Sequence, residues 1–271
     1  MEPLAGLGRV DRERLATVLR NTQGTVSVGE AARILAFSRP DTAKLLARWA
    51  KQGWLSRIRQ GLYVPVPLEA RTTEVPLEDP WLIAMRLYAP GYIGGWSAAE
   101  YWELTEQIFR TVVVMTTRKP KDRHPTLRGI PFLLRTVSEQ TLFGLKSIWR
   151  GTVKIPVSDP TRTILDLLSD PGLGGGIRTV TDMLNRYLKS DQRDLVLLVQ
   201  YAQRLGNGAV FKRLGFLLER LAPEATATLH QCQQQLTAGN AKLDPQLVAD
   251  KLITRWRLWI PAGWSQGESR D

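Results

Sequence analysis

The tightest constraint on this chain lies in its first quarter. Three short runs of helical periodicity come in succession, and two extended runs around a glycine turn follow them within residues 10–66. Leu15, Val18 and Leu19 recur at helical spacing in Asp11–Asn21, and Gln23-Gly24 stops that run. A brief extended segment, Val26-Ser27-Val28, leads to a second helix over about Val28–Leu35, with Ala31, Ala32 and Leu35 on one face. After the turn Ala36-Phe37-Ser38, Ser38 is the expected N-cap of a third helix from Arg39 to about Gln52. Pro40 falls in its first turn, Asp41 stands where a carboxylate suits the helix dipole, and Gly53 is placed to end it. Trp54–Arg59, the turn Gln60-Gly61 and Leu62–Val64 then read as a β-hairpin. Three helices and a hairpin in this order predict a winged helix-turn-helix, with Trp49 and Trp54 in its core.

The Pro-rich, mixed-charge stretch Pro65–Pro80 reads as a linker. Beyond it the pattern alternates. Trp81–Leu87 and Ser97–Leu104 look helical, and the unbroken β-branched run around Val112-Val113-Val114 is a buried strand. Ile130–Arg135 and Val153–Val157 are further strands. From Asp159 helices dominate, over about Pro160–Leu168, Ile177–Lys189, Gln192–Gly206 and Ala209–Leu221, with Leu252–Ile260 as a closing strand. The expected fold class is α+β: a winged helix-turn-helix, then a mixed, mostly helical domain with a small β-sheet.

The net charge of +11 over 271 residues points to a polyanionic partner. Residues 1–65 hold 11 Lys/Arg against 5 Asp/Glu, more than half of the excess. No run of about 18 apolar residues occurs and Met1–Val10 lacks the order of a signal peptide, so a membrane is the weaker partner. On the third helix Leu45, Leu46, Trp49 and, at the edge, Thr42 share one side. Asp41, Lys44, Arg48 and Lys51 share the other, which puts three cations on one exposed stripe. A helix of this kind fits the major groove of duplex DNA. Arg39 and Lys44 suit base edges or nearby phosphate, Ser38 and Thr42 can bond phosphate oxygens, and Arg48 and Lys51 suit phosphate. Arg57, Arg59 and Gln60 at the hairpin tip can enter the minor groove or clamp the backbone. A second basic turn, Arg118, Lys119, Lys121 and Arg123 with His124 and Arg128, is either a further DNA contact or a solvated loop.

Enzyme chemistry finds little support. Cys232 is the single cysteine, which excludes an internal disulfide and fits a reducing cytoplasm. With only His124 and His230 beside it, a Cys/His zinc site lacks ligands, so no metal and no cofactor is expected. His230-Gln231-Cys232 sits on an expected surface helix, and no catalytic residue is assigned. A metal-dependent nuclease, the enzyme alternative, would need Asp159, Asp166 and Glu219 together, but Asp159 reads better as a helix cap. Gly174-Gly175-Gly176-Ile177 opens a helix without the Lys-Ser/Thr of a phosphate-binding loop.

Taken in order, several segments resemble the AbiEi family, antitoxins of type IV toxin–antitoxin and abortive-infection systems. Arg59-Gln60-Gly61-Leu62-Tyr63 is similar to its wing, and Gly94-Gly95-Trp96-Ser97-Ala98-Ala99 to a small-residue segment opening a helix. Ser158–Leu168 resembles its "PERTLLDLL" helix, with Thr161 where the family more often has Glu. Gly174-Gly175-Gly176-Ile177 follows, and Lys212–Glu219 resembles "(K)RLGFLLE". The resemblance implies a winged domain (1–67) that represses its own operon at repeated operator sequences, alone or as a dimer or cooperative array. After a linker (68–79), it implies an antitoxin domain (80–271) that counteracts a nucleotidyltransferase-like toxin without a stable complex. A winged-helix regulator without a toxin partner stays open as the alternative.

Overall fold

The computed structural model describes residues 6, 8–22, 24–66, 79–127, 129–150 and 153–264; the expected linker at 68–79 and Arg128 lie outside them, apart from Asp79. The chain folds as two compact units, one of residues 1–87 with 124–132 and 149–155, the other of 88–123, 133–148 and 156–271.

In the first unit α1 (Arg9–Arg20), α2 (Val28–Leu35) and α3 (Arg39–Lys51) surround a core of Leu15, Val18, Ala31, Leu45, Leu46 and Trp49. Each helix has a local reason to start or stop. Ser27 caps α2 through a capping box with Glu30, in which each side chain meets the other's backbone amide. Ala36, left-handed at φ 54°, turns the chain toward α3, whose Ser38 cap accepts from the Asp41 amide, as expected from sequence. Strand β1 (Val26–Ser27) and the hairpin β2 (Leu55–Arg59) and β3 (Leu62–Pro65) form a sheet of order β1-β3-β2, with Tyr63 opposite Val26. Leu55 and Tyr63 point from this sheet into the core against Trp49. The fold is the winged helix-turn-helix expected. Helix α4 (Pro80–Tyr88) follows, and a second small pairing joins β6 (Thr126–Leu127) to the start of β7 (Ile130–Thr136).

The second unit mixes a sheet with helices. Strands β4 (Gly91–Ile93), β5 (Val112–Thr116), β8 (Leu145–Arg150) and β9 (Val153–Ser158) join β7 in the order β7-β5-β4-β9-β8. β4 runs antiparallel to β5 and parallel to β9. β4 and β8 had no sequence signal: the first is three residues long, and the second, Leu-Lys-Ser-Ile-Trp-Arg, is an edge strand without apolar–polar alternation. Helix α5 (Gly95–Tyr101) opens at Gly95, whose φ of 55° and closeness to the Leu173 carbonyl leave no room for a Cβ. Helix α6 (Pro160–Ser169) packs against α5, α7 (Ile177–Lys189), α8 (Leu195–Leu205) and α9 (Gly208–Leu221). α6 is buried along nine consecutive residues, charged ones included.

Three expectations change. Residues 252–260 are not one strand: β11 (Lys251–Ile253) turns through Arg257 at φ 47° and returns as β12 (Leu258–Ile260), which also pairs with β10 (Ala241–Lys242). The turn is anchored by Trp256, whose ring lies against Gly215 so closely that any Cβ there would overlap it. Helix α8 starts at Leu195, three residues after the expected Gln192, because Asp194 accepts from the Leu197 amide and sets the cap. His230 is exposed on α10 (Thr226–Gln234), but Cys232 faces the core, and burial pushes its thiol up to about 12.

The charged pair inside α6 is the structural feature sequence reasoning missed. Arg162 donates Nε to Asp166 at 2.9 Å, Nη1 to the Thr141 carbonyl at 2.9 Å, and Nη2 to the Tyr92 hydroxyl at 2.9 Å; that hydroxyl donates to the other Asp166 oxygen. Burial pushes the Asp166 carboxyl and the Tyr92 hydroxyl up. Burial pulls the guanidinium down, but Asp166 and Tyr92 together more than restore it, so Arg162 stays charged. Removing one partner strands the other charge in the core. Asp166→Ala is expected to lower stability by about 3–5 kcal/mol, read as a shift in the urea midpoint. Cys232 should resist a thiol-reactive dye at pH 8 in the native protein and react fully in denaturant; rapid native labelling would contradict its burial.

Candidate nucleic-acid interface

A helix of 13 residues spans roughly 20 Å, long enough to lie along a major groove. On α3 the core takes Thr42, Leu45, Leu46 and Trp49. The face opposite exposes Asp41, Lys44, Arg48 and Lys51, with Ser38 and Arg39 exposed at its start. The stripe read from the sequence is therefore a surface of the folded domain. The hairpin presents Arg57, Arg59 and Gln60 to solvent, with Gly61 at φ 77° and a bulge between Arg57 and Arg59. Gly61 ties the tip to α2 by accepting from the Val28 amide at 3.0 Å.

Three of the expected contact residues are constrained by neighbours. Thr42 has no exposed surface and donates its hydroxyl to the Ser38 carbonyl at 2.8 Å, so it cannot reach a phosphate: that assignment is corrected. The helical period places position 42 above Leu45 and Leu46, inside the stripe of core residues. Ser38 accepts from the Asp41 amide at 3.2 Å and donates to the Asp41 carboxylate, which leaves its hydroxyl with a structural task. Arg48 pairs with Asp11 of α1 at 2.8 Å while its side chain stays 54% exposed, so its charge is only partly offset. Lys44, Lys51, Arg57 and Arg59 carry no ion pair among the described residues. Arg33, on the outer face of α2, is exposed too, and a reading centred on the third helix passed over it.

In the second unit, between β5 and β6, Arg118, Lys119, Lys121 and Arg123 are all exposed. The carboxylates a nuclease would require are engaged elsewhere. Asp159 caps α6 through the Arg162 amide at 2.7 Å, Asp166 holds Arg162, and Glu219 accepts from the Trp256 indole at 2.7 Å. No group of three His, Cys, Asp or Glu suited to a metal ion occurs among the described residues. The glycine turn at 174–176 leads into α7, whose first amide, Ile177, donates to Asp244 at 2.9 Å, so the protein's own carboxylate sits where an anion would bind. Thr161 bonds the Tyr187 hydroxyl in the core at 2.9 Å. No helix among the described residues is long and apolar enough to cross a membrane.

A trihelical core, a recognition-type helix with its cations outward and a basic hairpin define a winged domain of the DNA-binding regulator class. Residues 13–66, the winged domain, match the family model described as "Transcriptional regulator, AbiEi antitoxin". The crystal structure of the RV2827C protein from Mycobacterium tuberculosis resembles the chain over 95% of this chain and 93% of that one, with a TM-score of 0.57. Its sequence identity is 14%, and the likeness is one of fold. A search of curated proteins found no match.

Two substitutions probe the face. Lys44→Ala should weaken binding to the chain's own promoter DNA by about 1–3 kcal/mol with an unchanged melting temperature, if it meets a base edge. Arg48→Ala should lower the slope of log K against log salt by about 0.9 and stability by less than about 1 kcal/mol. Fluorescence anisotropy and thermal melts read both; undiminished binding by the double variant would reject the assigned face.

Proposed function

We propose that the chain is a DNA-binding transcriptional autoregulator and antitoxin of a type IV toxin–antitoxin system, not an enzyme, working in the cytoplasm. The observation that carries the DNA half is the row of exposed cations on α3 and the hairpin: Arg39, Lys44, Arg48, Lys51, Arg57 and Arg59. α3 enters the major groove of the operator, Lys44 and Arg39 reach base edges or the adjacent phosphate, and the hairpin follows the backbone with Arg57, Arg59 and Gln60. Binding at repeated sites, as a dimer or cooperatively, gives repression of the chain's own operon. The basic turn of Arg118, Lys119, Lys121 and Arg123 adds a phosphate contact beyond the winged domain.

The antitoxin half rests on the resemblance of the Ser158–Leu168 and Lys212–Glu219 segments to the AbiEi family. The work divides along the chain: residues 1–67 bind DNA, 68–79 link, and 80–271 counteract a nucleotidyltransferase-like toxin without forming a stable complex with it. The RV2827C likeness, being one of fold, adds only that such an architecture exists over the whole chain length.

The test uses the full chain. Promoter binding should fall roughly a thousandfold between 50 and 200 mM salt if about six phosphates are neutralised. Removing the four charges of the basic turn should lower the salt slope by about 0.9 for each phosphate that the turn neutralises; an unchanged slope makes it an ordinary loop. The double variant Lys44→Ala/Arg59→Ala should lose repression of a promoter reporter yet still protect cells that co-express the neighbouring toxin gene. Loss of protection by that variant at undiminished protein level would reject the division of labour. Protection absent even in the wild type would leave a regulator without a toxin partner.

A further inference from the structure

Beside the exposed stripe of α3, the first unit has a cleft of about 410 Å³ where α2 meets the start of α3. Ser27, Gly29, Glu30, Arg33, Phe37 and Arg39 line it. Its free charge is of one sign. Arg33 and Arg39 are exposed, and no carboxylate pairs with either among the described residues. Glu30 is already committed, accepting from the Ser27 hydroxyl at 2.6 Å and pairing with Arg86. A third guanidinium, of Arg14, lies 5.0 Å over the Phe37 ring.

The position of Arg39 is informative. Its Nη2 lies 3.7 Å from the point that a Cβ on Gly29 would occupy. The side chain is therefore folded back across the first turn of α2 and does not extend along the outer face of α3. Gly29, lacking a side chain, leaves that path open. Two guanidiniums at the edge of one cleft, with its lining carboxylate neutralised, make a receptor for a phosphate group, which their forked donors can meet with two bonds each.

We infer that Arg33 and Arg39 clamp one backbone phosphate of duplex DNA in this cleft, so that Arg39 anchors α3 and reads no base. The inference rests on the DNA-binding reading above and refines it: Lys44 becomes the discriminating contact, and Arg33 joins the interface. A free phosphate offers similar chemistry, but the cleft adjoins the N-terminus of the helix proposed for the groove, where a strand of the duplex would run.

The experiment measures full-length Arg33→Ala, Arg39→Ala, Arg33→Ala/Arg39→Ala and Lys44→Ala against the promoter duplex and a scrambled duplex of equal length, from 50 to 200 mM salt. Arg33→Ala/Arg39→Ala should lower the salt slope by about 0.9, the one phosphate the pair neutralises, each single variant should lower it by less, and all three should weaken both duplexes by the same factor. Lys44→Ala alone should change the ratio between the duplexes. Arg33→Lys and Arg39→Lys should restore the slope, which separates lost charge from lost folding. One neutral methylphosphonate, stepped along the strand, should weaken the wild type at the clamped phosphate and leave the Arg33→Ala/Arg39→Ala variant indifferent there. A changed duplex ratio in Arg39→Ala, or an unchanged slope in Arg33→Ala/Arg39→Ala while Lys44→Ala weakens binding, overturns the clamp. Competition by inorganic phosphate beyond its ionic strength overturns the DNA backbone as occupant. Wild-type binding without salt dependence overturns the DNA reading and the clamp with it.

Discussion

The second unit is organised around a charge placed where charges are costly. Arg162 lies in a helix buried on every side, and its guanidinium is tolerable only because a carboxylate, a phenol and two backbone carbonyls surround it. Those partners come from separate places: Asp166 one turn on, Tyr92 in β4, and the Thr141 and Phe143 carbonyls in the loop before β8. A single side chain therefore holds helix, sheet and loop in one arrangement, and apolar packing of α5, α7, α8 and α9 around α6 completes it. Arg213 of α9 does related work, donating to the Leu168 and Ser169 carbonyls at the end of α6 and to the Lys242 carbonyl. Such networks exclude alternative packings because each leaves a buried donor unmet.

The winged domain solves a different problem. Its core is apolar around Trp49, and the cations of α3 and the hairpin are kept outside. Function there depends on separation of faces. The residues that fold α3 and the residues proposed to meet DNA alternate along one helix, and the helical period sorts them. The same sorting takes Thr42 inward, and Arg48 is shared between the surface and α1 through Asp11.

Much of this was legible in the sequence because the signals are local. Ser38 as cap, the start of α2 at Val28, the Gly61 turn and the full span of α7 depend on residues within a few positions of one another. The exposed placement of Lys44, Lys51, Arg57 and Arg59 follows from periodicity alone. Signals fail where a partner is distant. β4 is a strand because β5 and β9 flank it, and Cys232 faces inward because α10 packs on α9. Arg162 reads as one more cation in an amphipathic run until Tyr92 and Asp166 are seen around it.

What the sequence by itself determined is the order and kind of the N-terminal elements, the sign of the charge they display and the helical start at Pro160. Short-range sterics, capping and hydrophobic period settle these within a turn or two of chain. Tertiary structure alone decided which polar residues are buried and which way long side chains point. Arg162 goes inward and Arg39 folds back over Gly29 because of groups 70 and 10 residues away. The free energy of a charge depends on what surrounds it in space, and no local pattern encodes that surrounding.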